Sequence, residues 1–161
     1  MTPTQPISIE ELGPRLRNEA RLLGLDVGTK TIGMALSDVT RSVATPYQTI
    51  RRTKFATDAK TILEVIEMNH VGALVIGLPL NMDGSEGPRA QSTRAFARNL
   101  ARLVDVPMVF WDERLSTAAV ERHLIEADAS RKRRAQVIDR MAAAYILQGA
   151  LDRLRGLAQQ S

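Results

Sequence analysis

The sequence predicts an α/β fold: a five-stranded mixed sheet, an antiparallel meander continued by parallel strands, flanked by helices. Three observations carry this. Residues 22–26 and 32–36 are short apolar runs separated by a glycine-containing turn, the pattern of a hairpin. Residues 72–78 are continuously apolar, as in a strand buried on both faces. Stretches of helical length and period separate the later strands, and such crossovers require parallel pairing.

Taken in order, residues 1–20 contain three prolines and mixed polar residues, and read as an extension that contributes little to a core. Within it, Ser8 can cap a short helix with Glu11 reaching back. The first strand of the hairpin then ends in a lone carboxylate, Asp26, and Gly28 and Gly33 allow a sharp reversal. Residues 42–50 form a third strand, at an edge because of Pro46. From 54 to 69 the period becomes helical, with Phe55, Ile62, Val65, Ile66 and Met68 on the apolar side. The buried strand 72–78 runs into a loop over 79–88 rich in turn residues, expected to be mobile. A helix over 89–104 shows Phe96, Leu100 and Leu103, and 106–111 is the last strand, with Asp112, Glu113 and Arg114 at its end. Ser116 caps a further helix, with Leu115 placed to staple onto Val120. The basic run 131–134 leads into a final helix over about 135–154. The organisation is an extension, 1–20, one domain, 21–155, and a tail, 156–161.

A chain of 161 residues suits one domain with one core. The absence of cysteine excludes disulfides, thiolate metal sites and cysteine nucleophiles together. The start has neither a basic n-region nor an apolar h-region, and no apolar run approaches the ~20 residues of a membrane span, so neither a signal peptide nor membrane contact is expected. Net charge is +4, and most of the 22 basic residues are arginine, suited to bidentate phosphate contacts. This tilts the reading toward a nucleic-acid partner.

Three acidic positions fall at element boundaries: Asp26, the pair Asp112 and Glu113, and Asp139 near the start of the last helix. Ligands of open α/β sheets gather outside the carboxyl ends of strands. Ala143, Ile146 and Ala150 continue the Asp139 side of its helix as an apolar stripe, which turns Asp139 toward the sheet. Oxygen-only ligands suit magnesium or manganese, and such ions support phosphodiester displacement. Each position also has a plain structural reading: Asp26 as a turn residue, Asp112-Glu113-Arg114 as a surface salt bridge, Asp139 as a complement to a helix N-terminus. Their combination favours a metal site. Adjacent residues at a strand end point opposite ways, so Asp112 and Glu113 remain alternatives, Glu113 first.

Thr29 and Lys30 sit where a phosphate can approach the turn, and Arg131, Arg133 and Arg134 lie just before Asp139, where they can flank a bound backbone. Arg94, Arg98 and Arg102 share one helix face, which is usually a solvated face. Asn81 belongs to the loop that would cover the site. His70 and His123 read as structural, and Trp111 as a core residue rather than a base-stacking one.

Four blocks resemble the signatures of the YqgF/RuvX family: Leu25-Asp26-Val27-Gly28-Thr29-Lys30 with Gly33; Gly77-Leu78-Pro79-Leu80-Asn81-Met82-Asp83-Gly84; Trp111-Asp112-Glu113-Arg114-Leu115-Ser116-Thr117; and Ile138-Asp139-Arg140-Met141-Ala142-Ala143. The match covers roughly residues 21–154, with the four blocks in order. The resemblance implies a ribonuclease H-like fold and acidic, magnesium-dependent nuclease chemistry at Asp26, Glu113 and Asp139. Thr29, Lys30, Asn81, Arg114, Arg131, Arg133 and Arg134 are expected beside the nucleic acid. It implies one of two substrates: structured RNA, the 5′ end of precursor 16S ribosomal RNA in the cytoplasm, or branched DNA, as a Holliday junction resolvase. A resolvase making paired nicks works as a homodimer. Two other readings stand beside these. Asp-x-Gly-Thr also resembles the phosphate turn of actin-like ATPases and sugar kinases, which need two such domains. A non-catalytic nucleic-acid-binding module would bind normally without its acids.

Overall fold

In a computed structural model, residues 5–115 and 131–160 are described, with 131–140 described by backbone alone. The elements are β1 (Pro6–Ile7), α1 (Ile9–Leu12), β2 (Arg21–Val27), β3 (Thr31–Ser37), β4 (Ala44–Arg51), α2 (Phe55–Met68), β5 (Val71–Leu78), α3 (Pro88–Ala101), β6 (Met108–Asp112) and α4 (Arg131–Gln159). They build one mixed sheet in the order β1-β6-β5-β2-β3-β4. β2, β3 and β4 form the expected antiparallel meander, and β2, β5 and β6 are parallel. The sheet has six strands rather than five, because Pro6 and Ile7 pair in parallel with Met108 and Val109.

Strand alternation divides the core into two layers. Leu23, Leu25 and Val27 of β2 face α2 and α3, where Ile62, Val65, Phe96 and Leu100 are buried. Leu22 of β2, Val75 of β5 and Trp111 of β6 face α4, against Ala143, Ile146, Leu147 and Ala150. α4 lies very close to its layer. A Cβ at Gly24 would stand 2.8 Å from Leu147 Cβ and 3.0 Å from the Ala143 carbonyl oxygen. Only glycine tolerates that approach.

Four expectations need correction. Residues 1–20 do contribute to the core: Leu12 is fully buried, with Ile7, Ile9 and Leu16 packed around it. Polar composition hid this, because one buried leucine and a two-residue strand are too short to show periodicity. Gly33 is not in the reversal. The turn spans residues 28–30, closed by Gly28 N–H donating to the Thr31 carbonyl (2.8 Å), while Gly33 sits inside β3 opposite Asp26. Met68 and Leu103 are exposed, each at or beyond the last turn of its helix, where the chain leaves the sheet. The final helix begins at Arg131, so the basic run is its first turn rather than its leader. Pro46 lies on edge strand β4 at a register irregularity, as its missing N–H requires. Ser116, Val120 and His123 lie outside the described residues.

The β3–β4 connection is organised by Asp38, which accepts from Ser42 N–H (2.7 Å), Val43 N–H (3.0 Å) and the Thr40 hydroxyl. The Thr40 hydroxyl, then the two backbone donors, hold its carboxyl at a pKa of about 2. A depressed folded pKa gives stability that is complete above the unfolded value and is lost as pH falls through the folded one. The stability difference between wild type and Asp38→Asn should therefore shrink as pH falls from about 4 toward 2 in urea unfolding series; a constant difference would show that the carboxylate's charge is irrelevant. Leu12→Ala should cost ~2–5 kcal/mol in the same assay, the penalty of a core cavity. A loss below ~0.5 kcal/mol would mean the N-terminal segment is not part of the core.

Candidate active site

The parallel strands end together at one edge, and β2 delivers Asp26 there. It is one of five polar residues buried among those described. Asp26 shares its face of β2 with Gly24 and Leu22, so it looks toward the α4 layer. Leu25 is in register with Ile76, which sets Asp26 level with Gly77 on the neighbouring strand, about 4.8 Å away. Gly77 in turn pairs with Trp111 at the end of β6.

Directly after β6, a single 3-10 turn (Glu113–Leu115) turns the chain and buries Glu113. A Cβ on Gly77 would collide with Ile146 Cδ1 and stand 2.9 Å from Glu113 Oε1. The Glu113 carboxylate thus occupies space that only glycine at 77 leaves open. Asp26 and Glu113, 87 positions apart, converge over the carboxyl ends of β2 and β5 on the face that α4 covers.

This separates Glu113 from Asp112. Asp112 remains near the surface, gripped by Arg114: Arg114 Nη2 donates to Oδ2 at 2.7 Å, Nε donates to both oxygens at 3.1 Å, and the Arg114 N–H donates to Oδ1 at 3.0 Å. The Arg114 side chain holds the Asp112 carboxyl below its usual range, and Asp112 raises Arg114. The salt-bridge reading therefore applies to Asp112, and the buried position belongs to Glu113.

Asp139 lies on the turn of α4 before Ala143. C-terminal to it, Arg155 Nη2 donates to the Ser42 carbonyl (3.0 Å) beside the β3–β4 turn, and Leu147 crosses Gly24. The helix therefore rises from the amino end of β2 toward the end that holds Asp26, carrying position 139 in that direction. The side chains of Asp139, Arg131, Arg133 and Arg134 lie outside the described residues. Among the described residues no group of three acids or histidines gathers.

Thr29 and Lys30 are exposed on the turn that caps this same end. Sequence reasoning missed the residue that shapes that turn: Arg52, just past β4, donates from Nη1 to the Gly28 carbonyl (2.8 Å) and from N–H to the Lys30 carbonyl (2.8 Å). Its guanidinium also lies over Phe96, 5.4 Å from the ring centroid. No local motif announces a contact between residues 24 positions apart.

The loop over 79–87 is hydrogen-bonded throughout rather than loosely built. Asn81 N–H donates to the Ser85 carbonyl (2.9 Å), Asn81 Nδ2 to Ser85 Oγ (3.0 Å), and Gly84, at φ 89°, donates to the Asn81 carbonyl (2.8 Å). Arg114 Nη1 ties the loop to the end of β6 through the Met82 carbonyl (3.2 Å). Asn81 and Arg114 are thus brought together beside Glu113, both engaged in holding this loop. Trp111 is buried, with a Cβ at Gly149 falling 2.9 Å from its indole nitrogen, which is the core placement expected. Arg94 pairs with Glu86 (2.6 Å) and covers Phe110 at 4.9 Å, so it belongs to a solvated face rather than a separate site.

Two buried carboxylates, oxygen donors only, and a glycine cradle fit a hard divalent cation, which accepts such ligands.

The chain also resembles known proteins. A family model described as RuvX: Holliday junction resolvase matches residues 20–153. A protein of Paramagnetospirillum magneticum named "Putative pre-16S rRNA nuclease" is 64% identical over 148 residues, 92% of this chain and 96% of that one. A Ruegeria pomeroyi protein of the same name is 61% identical over 150 residues, covering 93% and 97%. Among solved structures, Thermus thermophilus RuvC superposes with a TM-score of 0.52 at 13% identity over 84% of this chain and 97% of that chain. The same protein in complex with a Holliday junction substrate gives 0.50 at 12%, covering 84% and 96%. At such identities the structures speak for the fold.

Gly77→Ala should cost ~1–3 kcal/mol in urea unfolding, because its Cβ overfills the space held by Ile146 and Glu113. Gly13→Ala, whose Cβ would meet nothing within 4 Å, should stay within ~0.5 kcal/mol. Equal effects would refute the cradle.

Proposed function

The chain belongs to the RuvX family, and on that premise we propose that it hydrolyses phosphodiester bonds in precursor 16S ribosomal RNA, using Asp26, Glu113 and Asp139. The observation that carries this is the convergence of Asp26 and Glu113, both buried, over Gly77 at the carboxyl ends of the parallel strands. The names of relatives above 60% identity over nine-tenths of the chain support the RNA substrate.

Asp26 and Glu113 hang from strand ends fixed by the sheet, so they need little reorganisation to receive a cation. With Asp139 they would hold magnesium or manganese. When bound, the ion supplies Lewis-acid stabilisation of charge on the phosphoryl oxygens and a more acidic water. In the net reaction, water adds to phosphorus and one P–O ester bond breaks, leaving a phosphate monoester and a hydroxyl. Thr29 and Lys30, on the turn that Arg52 holds, meet the substrate backbone at the same edge. The first turn of α4, with Arg131, Arg133 and Arg134, supplies phosphate contacts along the strand being cut. Arg114 acts on the site by fixing the loop of Asn81 and by neutralising Asp112, leaving Glu113 to the cation. No helix among the described residues is long and apolar enough to cross a membrane, and ribosomal RNA processing places the enzyme in the cytoplasm.

The second reading is cleavage of four-way DNA junctions by a homodimer, favoured by the description of the family model. The same site would serve both. Purified protein with magnesium should trim a labelled 16S precursor at its 5′ end, and Asp26→Asn or Glu113→Gln should slow this at least about a hundredfold with folding intact. EDTA should abolish cleavage and manganese restore it. No cleavage of precursor by wild type, with symmetric nicks in a junction, would move the assignment to DNA. Undiminished cleavage by Asp26→Asn would refute the site altogether.

A further inference from the structure

We propose that a cleft at the opposite end of the sheet binds phosphodiester phosphates of the nucleic-acid substrate, holding it at a second point away from the carboxylates. The identity of the ligand rests on the nuclease reading above. The cleft itself does not.

The cleft, about 770 Å³, opens where β2, β5 and β6 begin, and its lining includes Arg15, Arg17, Arg21, Asn18, Asn69 and His70. Three arginines and two asparagines line one cavity. Glu19 and Asp105 also line it, yet neither forms an ion pair with Arg15, Arg17 or Arg21 among the described residues. Arg21 Nε is buried and makes no hydrogen bond there. Guanidiniums gathered in a concave place repel one another, and a buried N–H without an acceptor is costly. An oxyanion in the cleft relieves the repulsion among the arginines. Arginine forks match phosphate oxygens, and amides donate to the remaining ones.

The wall that carries these groups is fixed. Arg41 Nη1 donates to the Ala20 carbonyl (2.8 Å) and to the Arg17 carbonyl (3.2 Å). Arg21 N–H donates to the His70 carbonyl (3.3 Å). Ala20 lies so close to β5 that a Cβ on Gly72 would fall 2.7 Å from its own Cβ. Glu19 and His70, both at the cleft, adopt φ of 67° and 52°, a region that costs energy for residues with side chains. The rim is therefore presented rigidly rather than by free loops.

β2 separates the cleft from Asp26 by its own length, roughly 20 Å for seven residues. A duplex touching both ends spans a little over half a helical turn. A strand shorter than about six stacked nucleotides at the carboxylates would not reach the cleft, so the second contact favours longer substrates.

The test measures binding of a fluorescein-labelled RNA hairpin by the full chain in EDTA, where no cleavage intervenes, across a salt series. Arg15→Gln with Arg17→Gln changes two exposed residues and should leave the thermal midpoint unchanged. The double variant should bind at least about tenfold more weakly, and its slope of log affinity against log salt should be shallower by about two. The ring of His70, one of two histidines, should shift in NMR spectra when hairpin is added to wild type and not to the variant. Unchanged affinity and slope in the folded variant overturn the proposal. A His70 shift with inorganic phosphate alone and none with hairpin also overturns it. Wild type that cleaves precursor while the variant binds it unimpaired removes the cleft and leaves the nuclease. Hairpin binding lost in the variant, from a wild type that cuts no RNA, removes the nuclease and leaves the cleft.

Discussion

The fold turns on how closely α4 lies on the sheet. Gly24, Gly77 and Gly149 each mark a place where one more carbon would meet the opposing element at 3 Å or less. On the helix side, Ala143 and Ala150 keep the approach short. This contact keeps the Gly24 face of β2 dry, and therefore Asp26, on that face, is sheltered from water while still reaching the sheet's end. It also shelters Trp111 and leaves room for Glu113. A bulkier seam would lift the helix, wet both carboxylates and weaken whatever electrostatic work they do, because charge interactions gain strength where water is excluded.

Much of this was readable in the sequence. The hairpin 22–36, the apolar strand before Gly77 and the helical crossovers sufficed for the sheet's central order, because each is long enough to display its period. The acids at strand ends were readable for the same reason, since a lone carboxylate after an apolar run stands out. What stayed hidden was nonlocal or short. Pro6 and Ile7 carry no periodicity, and only the exposed edge of β6 tells them to pair. Which of Asp112 and Glu113 is buried depended on a 3-10 turn and on Arg114, neither of which leaves a spacing to count. Arg52 holds the Gly28 turn across a distance that no motif spans. Asp58, a buried acid in the first turn of α2, reaches back out of the helix: it accepts from the Thr53 N–H and hydroxyl.

The two ends of the sheet differ in what they hold. Two buried carboxylates lie where the parallel strands finish, with Lys30, Arg52 and Arg114 at the same end, and three arginines line the cleft where the strands begin, beside Glu19 and Asp105. The connections set the two ends apart. Strand ends open into loops after β2, β5 and β6 on one side, while the other side is formed by the segment entering β2 and the short turns entering β5 and β6. Negative charge close to a scissile phosphate is tolerable only with a cation between them, whereas positive charge elsewhere on the surface can hold the same polyanion directly.

The pairing of β1 with β6 has a consequence for biosynthesis. Pro6 and Ile7 leave the ribosome about a hundred residues ahead of their partners, Met108 and Val109. At 5–20 residues per second, the strand waits roughly 5–20 s for the edge it completes. During that interval Leu12 has no core to enter, and closing so long a loop is the slow part of any folding route. The prolines and polar residues around it, which disguise the segment as an appendage, suit such a wait: they resist pairing with neighbouring chains until the native edge appears.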